Sequence, residues 1–95
     1  MIKRIVKMEF NPNKIKQFEK IFQATKQHIC NFDDCIDLII LQDINKKNIY
    51  FTYSTWESQD KLENYKKSKL FYETWAKIKI LFNKKPYAYS VKEIL

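Results

Sequence analysis

The sequence predicts an α+β fold with the element order βαββαβ, and three observations carry that expectation. Runs near both ends and in the middle of the chain alternate between apolar and polar residues. Two long stretches between them repeat apolar residues at spacings of three and four. Asn, Asp and Pro mark the joins. A period of two places alternate side chains on opposite faces of a strand, whereas the three-to-four spacing gathers them on one face of a helix.

Ile2 to Phe10 sets Ile2, Arg4, Val6, Met8 and Phe10 on one face and Lys3, Ile5, Lys7 and Glu9 on the other, a first strand. Asn11 is placed to cap a helix with Pro12 at its first position, where a missing N–H does no harm. Ile15, Phe18, Phe22, Thr25, Ile29 and Phe32 form its apolar stripe, with the helix ending near Asn31 and "FDDC" making a turn. Cys35 to Asp43 reads as a second strand, in which Ile39 and Leu41 oppose Ile36, Leu38 and Ile40. "INKKN" is a polar hairpin loop, and Ile49 to Trp56, rich in aromatic residues and Thr, is the third strand. Ser58 caps the next helix, and Asp60 in its first turn complements the helix dipole. Leu62 and Tyr65 begin its buried stripe; "KKSK" interrupts it, and Ser68 predicts a kink or restart. Phe71, Trp75, Ile78 and Phe82 continue the stripe until Asn83 can end the helix and Pro86 bars its extension. Tyr87 to Ile94 alternates again as a fourth strand.

This order is the ferredoxin-like split βαβ arrangement, a four-stranded antiparallel sheet with both helices on one face. Residues 1–95 are expected to form a single domain, since one core typically serves about 50–200 residues. The strands are apolar on both faces: Phe51 and Tyr53 point one way, and Tyr50, Thr52, Ser54 and Trp56 the other. Two helices cover only one face, so the sheet is expected to form a homodimer through the second. Alternation alone does not choose which face meets the helices.

Composition excludes several classes of function. Glycine is absent, so neither GxGxxG nor GxxxxGK[ST], whose glycines let the backbone approach phosphate, can occur. Cys30 and Cys35 come with no CxxC or Cys/His cluster to hold a metal, and in a reducing compartment they are expected as small, buried residues with free thiols. The net charge of +7 comes from 17 Lys and one Arg scattered among acidic residues, as in "KQFEK" and "DKLENYKKSK". That pattern reads as solvated surface and not as a nucleic-acid interface, where bidentate Arg contacts would be favoured. No apolar run approaches a membrane span, and the alternating N-terminus is no signal-peptide core, so a cytoplasmic location is expected. The one histidine, His28, sits at the margin of the first helix's stripe and reads as a structural, partly exposed side chain.

The order of elements, the dimerisable sheet and the segment "FTYSTWES…LENYKKSKLFYETW" resemble the antibiotic biosynthesis monooxygenase family of dimeric α/β-barrel proteins. The most characteristic part is a strand-ending Trp followed by a Ser-capped helix, carried by Trp56, Ser58, Leu62, Tyr65, Ser68 and Phe71. The resemblance implies cofactor-independent oxygenation of a small aromatic or quinone-like molecule, in which the substrate supplies electrons to O2. Such chemistry needs a dry aromatic pocket and a few donors for a developing oxyanion. The resemblance assigns the Trp56 face to the pocket, which makes Tyr50, Thr52, Ser54, Trp56, Tyr65 and Trp75 the candidate lining residues. Trp56 and Tyr65 would shape it, Ser54 or Thr52 would orient a ligand oxygen, and Trp75 would stack on the ligand or gate it. Haem-degrading members of the fold instead carry a His on the second helix and an Asn on the first strand. Here the matching helix position is Trp75, which cannot ligate iron, and Ile2 to Phe10 has no Asn, so neither haem nor any other cofactor is expected. The alternative reading is a homodimer of the same fold that binds a small ligand or serves in stress without catalysis.

Overall fold

The computed structural model describes residues 1–30 and 35–95, the side chain of Cys30 excepted. Its strands are β1 (Ile2–Glu9), β2 (Cys35–Gln42), β3 (Ile49–Trp56) and β4 (Tyr87–Val91), and its helices α1 (Ile15–Cys30), α2 (Gln59–Lys66) and α3 (Lys69–Ile78). They form one antiparallel sheet in the order β2-β3-β1-β4, with the helices on one side, the ferredoxin-like α+β fold that the periodicities predict. The expected turn at Phe32–Asp34, and Asn31 at the end of α1, lie outside the described residues.

Register fixes the faces. β1 and β3 pair from Ile2↔Trp56 to Glu9↔Ile49, so Arg4, Val6 and Met8 stand level with Ser54, Thr52 and Tyr50 under the helices. Phe18, Phe22 and Ile29 of α1, Leu62 and Tyr65 of α2, and Ile78 of α3 close the layer from above. The other face carries Ile5, Phe51 and Tyr53, half-buried in the central strands, flanked by the exposed Ile39, Leu41, Tyr87, Tyr89 and Val91.

Four local expectations are corrected. Asn11 precedes a single 3-10 turn, Pro12–Lys14, but its side chain makes no capping bond. Ile36, grouped by alternation with Leu38 and Ile40, lies where the β2–β3 register shifts between Cys35 and Asp37; it is 51% exposed. The last helix stops at Ile78 and tightens into a 3-10 turn, Lys79–Leu81, ahead of Asn83, and Thr74 and Leu81 join Ile78 as its buried residues while Phe71 and Trp75 flank them half-buried. β4 ends at Val91, short of Ile94.

Candidate functional site

Between the sheet and the α2–α3 pair lies a cavity of about 50 Å³. Its floor is Arg4, Val6 and Met8 of β1, Leu38 of β2, and Thr52, Ser54 and Trp56 of β3. Its roof is Phe22 and Ile29 of α1, Tyr65 of α2, and Phe71, Thr74, Trp75 and Ile78 of α3. The roof owes its shape to two serine caps. The Ser58 hydroxyl accepts from the Lys61 N–H at 3.3 Å and starts α2 directly after β3. The Ser68 hydroxyl accepts from the Phe71 N–H at 3.1 Å and donates to the Tyr65 carbonyl at 2.6 Å, ending one helix and starting the next. That break lets Tyr65 and Phe71 meet edge to face, 5.3 Å apart at 81°.

The walls are aromatic. Trp56, fully buried, stacks on Tyr65 with ring centroids 4.7 Å apart, and Phe71 lies parallel to Trp75 at 6.1 Å. The Trp56 indole N–H donates to the Ser54 hydroxyl at 2.9 Å, and Ser54 in turn donates a long 3.5 Å bond to the Arg4 carbonyl. Ser54 thereby fixes the indole's orientation. Thr52 and Thr74 add two more hydroxyls to the lining. Burial, opposed by the Arg4 charge, pushes the Tyr65 hydroxyl up to about 12, so it stays protonated and a donor at neutral pH.

Among the described residues Arg4 is the one buried cation. It is only 9% exposed, and its guanidinium lies 5.8 Å from the centre of the Phe71 ring. Burial pulls the guanidinium below its ordinary value, while nearby Tyr65 and Glu63 draw it back up. A cation–π contact stabilises by about 0.5–2 kcal/mol, whereas taking an ion out of water costs several kcal/mol. Phe71 alone therefore leaves the charge under-compensated. Among the described residues no three His, Cys, Asp or Glu side chains gather where a metal could be held.

The profile of one family, antibiotic biosynthesis monooxygenase, matches residues 1–77 of this chain. The chain belongs to the antibiotic biosynthesis monooxygenase family. Solved structures agree on the fold at low identity. A conserved protein from Methanosarcina mazei Go1 superposes with a TM-score of 0.93 at 17% identity, over 98% of this chain and 92% of its own. A crystal structure of an antibiotic biosynthesis monooxygenase gives 0.93 at 12% identity over the whole of both chains. Rv0793 from Mycobacterium tuberculosis gives 0.89 at 11% identity, over 98% of this chain and 94% of its own. No curated protein matches the sequence significantly.

In this member of the antibiotic biosynthesis monooxygenase family, Thr52, Ser54, Trp56, Tyr65 and Trp75 stand together around the cavity. Tyr50 stands apart, at the other end of β3. Its hydroxyl donates to Glu19 at 2.8 Å and accepts from Gln42 at 3.1 Å, and it borders two more open clefts of about 470 and 340 Å³ beside α1. His28 is exposed in the last turn of α1 and does not line the cavity. Cys35 is half-buried, its thiol 3.6 Å from the Asp37 carbonyl. Sequence reasoning did not assign Arg4, Phe71 or Thr74 to the site. The signal for Arg4 was present: a sole arginine among lysines, on the same strand face as Val6 and Met8.

Proposed function

We propose that the protein is a homodimer that takes a small aromatic or quinone-like molecule into the cavity beside Trp56 and oxygenates it without a cofactor. The observation that carries this reading is the cavity itself: aromatic walls, hydroxyls at Thr52, Thr74 and Tyr65, and a Trp56 ring held in place by Ser54. In the simplest balanced case, a phenol unsubstituted opposite its hydroxyl reacts with O2 to give the para-quinone and water. One oxygen atom bonds to the ring carbon, the other leaves as water with two hydrogens of the substrate, and all four electrons come from the substrate. Trp56 and Tyr65 present flat apolar surface to the ring. Thr52 and Thr74 are placed to hold its oxygen, since Ser54 is engaged by Trp56 and the Arg4 carbonyl.

The volume of about 50 Å³ has room for a few waters and is smaller than the ~150 Å³ apolar cavity known to take benzene. A ring enters only if the half-buried Phe71 and Trp75 yield. That size is also the observation favouring the second reading, a homodimer that binds a small ligand without turning it over. Oxygen uptake by chelator-treated protein with a panel of electron-rich phenols separates the two. Uptake that falls at least tenfold in Trp56→Ala supports oxygenation; saturable binding without uptake leaves only the binding role. Unchanged affinity and uptake in Trp56→Ala and Ser54→Ala would sink both.

The dimer in this reading closes the open sheet face, where Ile5, Phe51 and Tyr53 are flanked by exposed Ile39, Leu41, Tyr89 and Val91. An apolar patch of this extent, with Lys3 and Lys7 of β1 set among its residues, supports an interface there. Sedimentation velocity should find a dimer that Tyr53→Glu converts to a monomer; a wild-type monomer at micromolar concentration would rule the interface out.

A further inference from the structure

Of the 18 lysines and arginines in the chain, Arg4 alone is buried. β1 turns it towards the helices with Val6 and Met8, and its side chain borders the cavity. Among the described residues its guanidinium makes no ion pair and donates no hydrogen bond. The acid that acts on it, Glu63, is engaged by Lys66 at 3.4 Å and by Gln59 at 3.0 Å. Among the described residues no carboxylate lines the cavity; its other polar groups are the hydroxyls of Thr52, Ser54, Tyr65 and Thr74 and the two indoles. Among the described residues no side-chain nitrogen is both wholly buried and unbonded, so the unpaired guanidinium nitrogens of this cavity-lining residue keep some accessible surface.

A guanidinium offers five N–H donors and no acceptor, and a desolvated cation calls for an anion. Aromatic rings and hydroxyls do not supply one. We infer that the cavity selects aromatic anions: a ring carrying an ionised oxygen, phenolate or carboxylate, with that oxygen paired to Arg4 and the ring among Trp56, Tyr65 and Phe71. This inference rests on the reading of the cavity as a ligand site and narrows its ligand class. It also gives the proposed oxygenation its reactive form, because a phenolate is more electron-rich than the phenol. The guanidinium would stabilise the bound ionised state, as charge-assisted hydrogen bonds do in a water-poor site.

The test uses the full chain and 4-nitrophenol, which changes colour on ionising near neutral pH. Spectrophotometric titration should show the phenolate bound about tenfold or more tighter than the phenol, seen as a bound-state pKa lowered by about one unit. Arg4→Met should keep phenol affinity and lose that preference. A preference that survives in Arg4→Met belongs to surface lysines and overturns the inference, as does equal affinity for the two forms in the wild type. Benzoate against benzamide repeats the comparison without a variant: about tenfold tighter benzoate supports the pairing, and equal affinity overturns it. Equal affinity in either comparison overturns the inference, whatever the other shows. Binding of none of the four overturns the cavity as a ligand site, and the anion inference with it.

Discussion

The two ends of the layer between sheet and helices use similar residues to different ends. At the Phe10 end, Phe10 stacks on Phe18 at 4.1 Å, Tyr50 and Phe82 close around them, and the polar atom that reaches in, the Tyr50 hydroxyl, is bonded to Glu19 and Gln42. At the Trp56 end, Trp56, Tyr65, Phe71 and Trp75 stand around open space with an arginine charge that nothing described pairs. Aromatic content is therefore no guide to a site. The difference lies in the charge among the rings: the first end bonds its one polar atom to Glu19 and Gln42, and the second holds a cation that, among the described residues, has no ion pair.

Substitutions at the two ends should separate accordingly. The largest effect is expected from Phe18→Ala, which removes a fully buried ring from the Phe10 end and should cost about 3–5 kcal/mol in chemical denaturation, with ligand affinity of the folded protein unchanged. Arg4→Met should do the opposite. Stability should hold or rise, by up to about 1–4 kcal/mol, because an apolar side chain replaces a poorly compensated buried charge, while anion binding is lost. A loss of several kcal/mol would instead make Arg4 structural. Ser68→Ala removes the cap at the helix break and should cost about 1 kcal/mol, weakening ligand binding through the displaced Tyr65 and Phe71. Tyr50→Phe should cost about 1 kcal/mol and leave binding untouched; weakened binding would merge the two ends into one site.

Alkaline titration probes both ends at once. The hydroxyls of Tyr50 and Tyr65 are each pushed up to about 12, chiefly by burial, with Glu19 adding to the shift at Tyr50 and Arg4 opposing it at Tyr65. The folded state thus holds these protons more tightly than the unfolded chain, where tyrosine titrates at about 10. The stabilisation is complete below about pH 10 and is lost as pH rises towards 12. Denaturation midpoints followed across that window should fall, and the fall should be shallower in Tyr50→Phe.

Most of the fold was legible because its signals are local. β3 runs over the expected Ile49–Trp56, and Ser68 caps a new helix where the "KKSK" run interrupts the stripe. The irregularity at Ile36 was not, since β2 is apolar on both faces and alternation does not reveal a slipped register. Tyr50 shares a strand face with Trp56, but six residues at about 3.3 Å each place them about 20 Å apart, which face assignment ignores. A cavity is harder still to read. It depends on how far the helices stand from the sheet, and Arg4, Phe71 and Thr74 meet there from β1 and α3, elements far apart in sequence.

Ligands are expected to enter at the Trp56 end and leave the Phe10 end untouched. The most direct measurement is a titration of 15N-labelled protein with 4-nitrophenolate, following the indole N–H signals of Trp56 and Trp75 and the backbone amides of Phe18 and Tyr50. Saturable shifts of the Trp56 indole are expected, with Phe18 and Tyr50 unmoved. A silent Trp56, or shifts centred on Tyr50 and its clefts beside α1, would contradict this expectation.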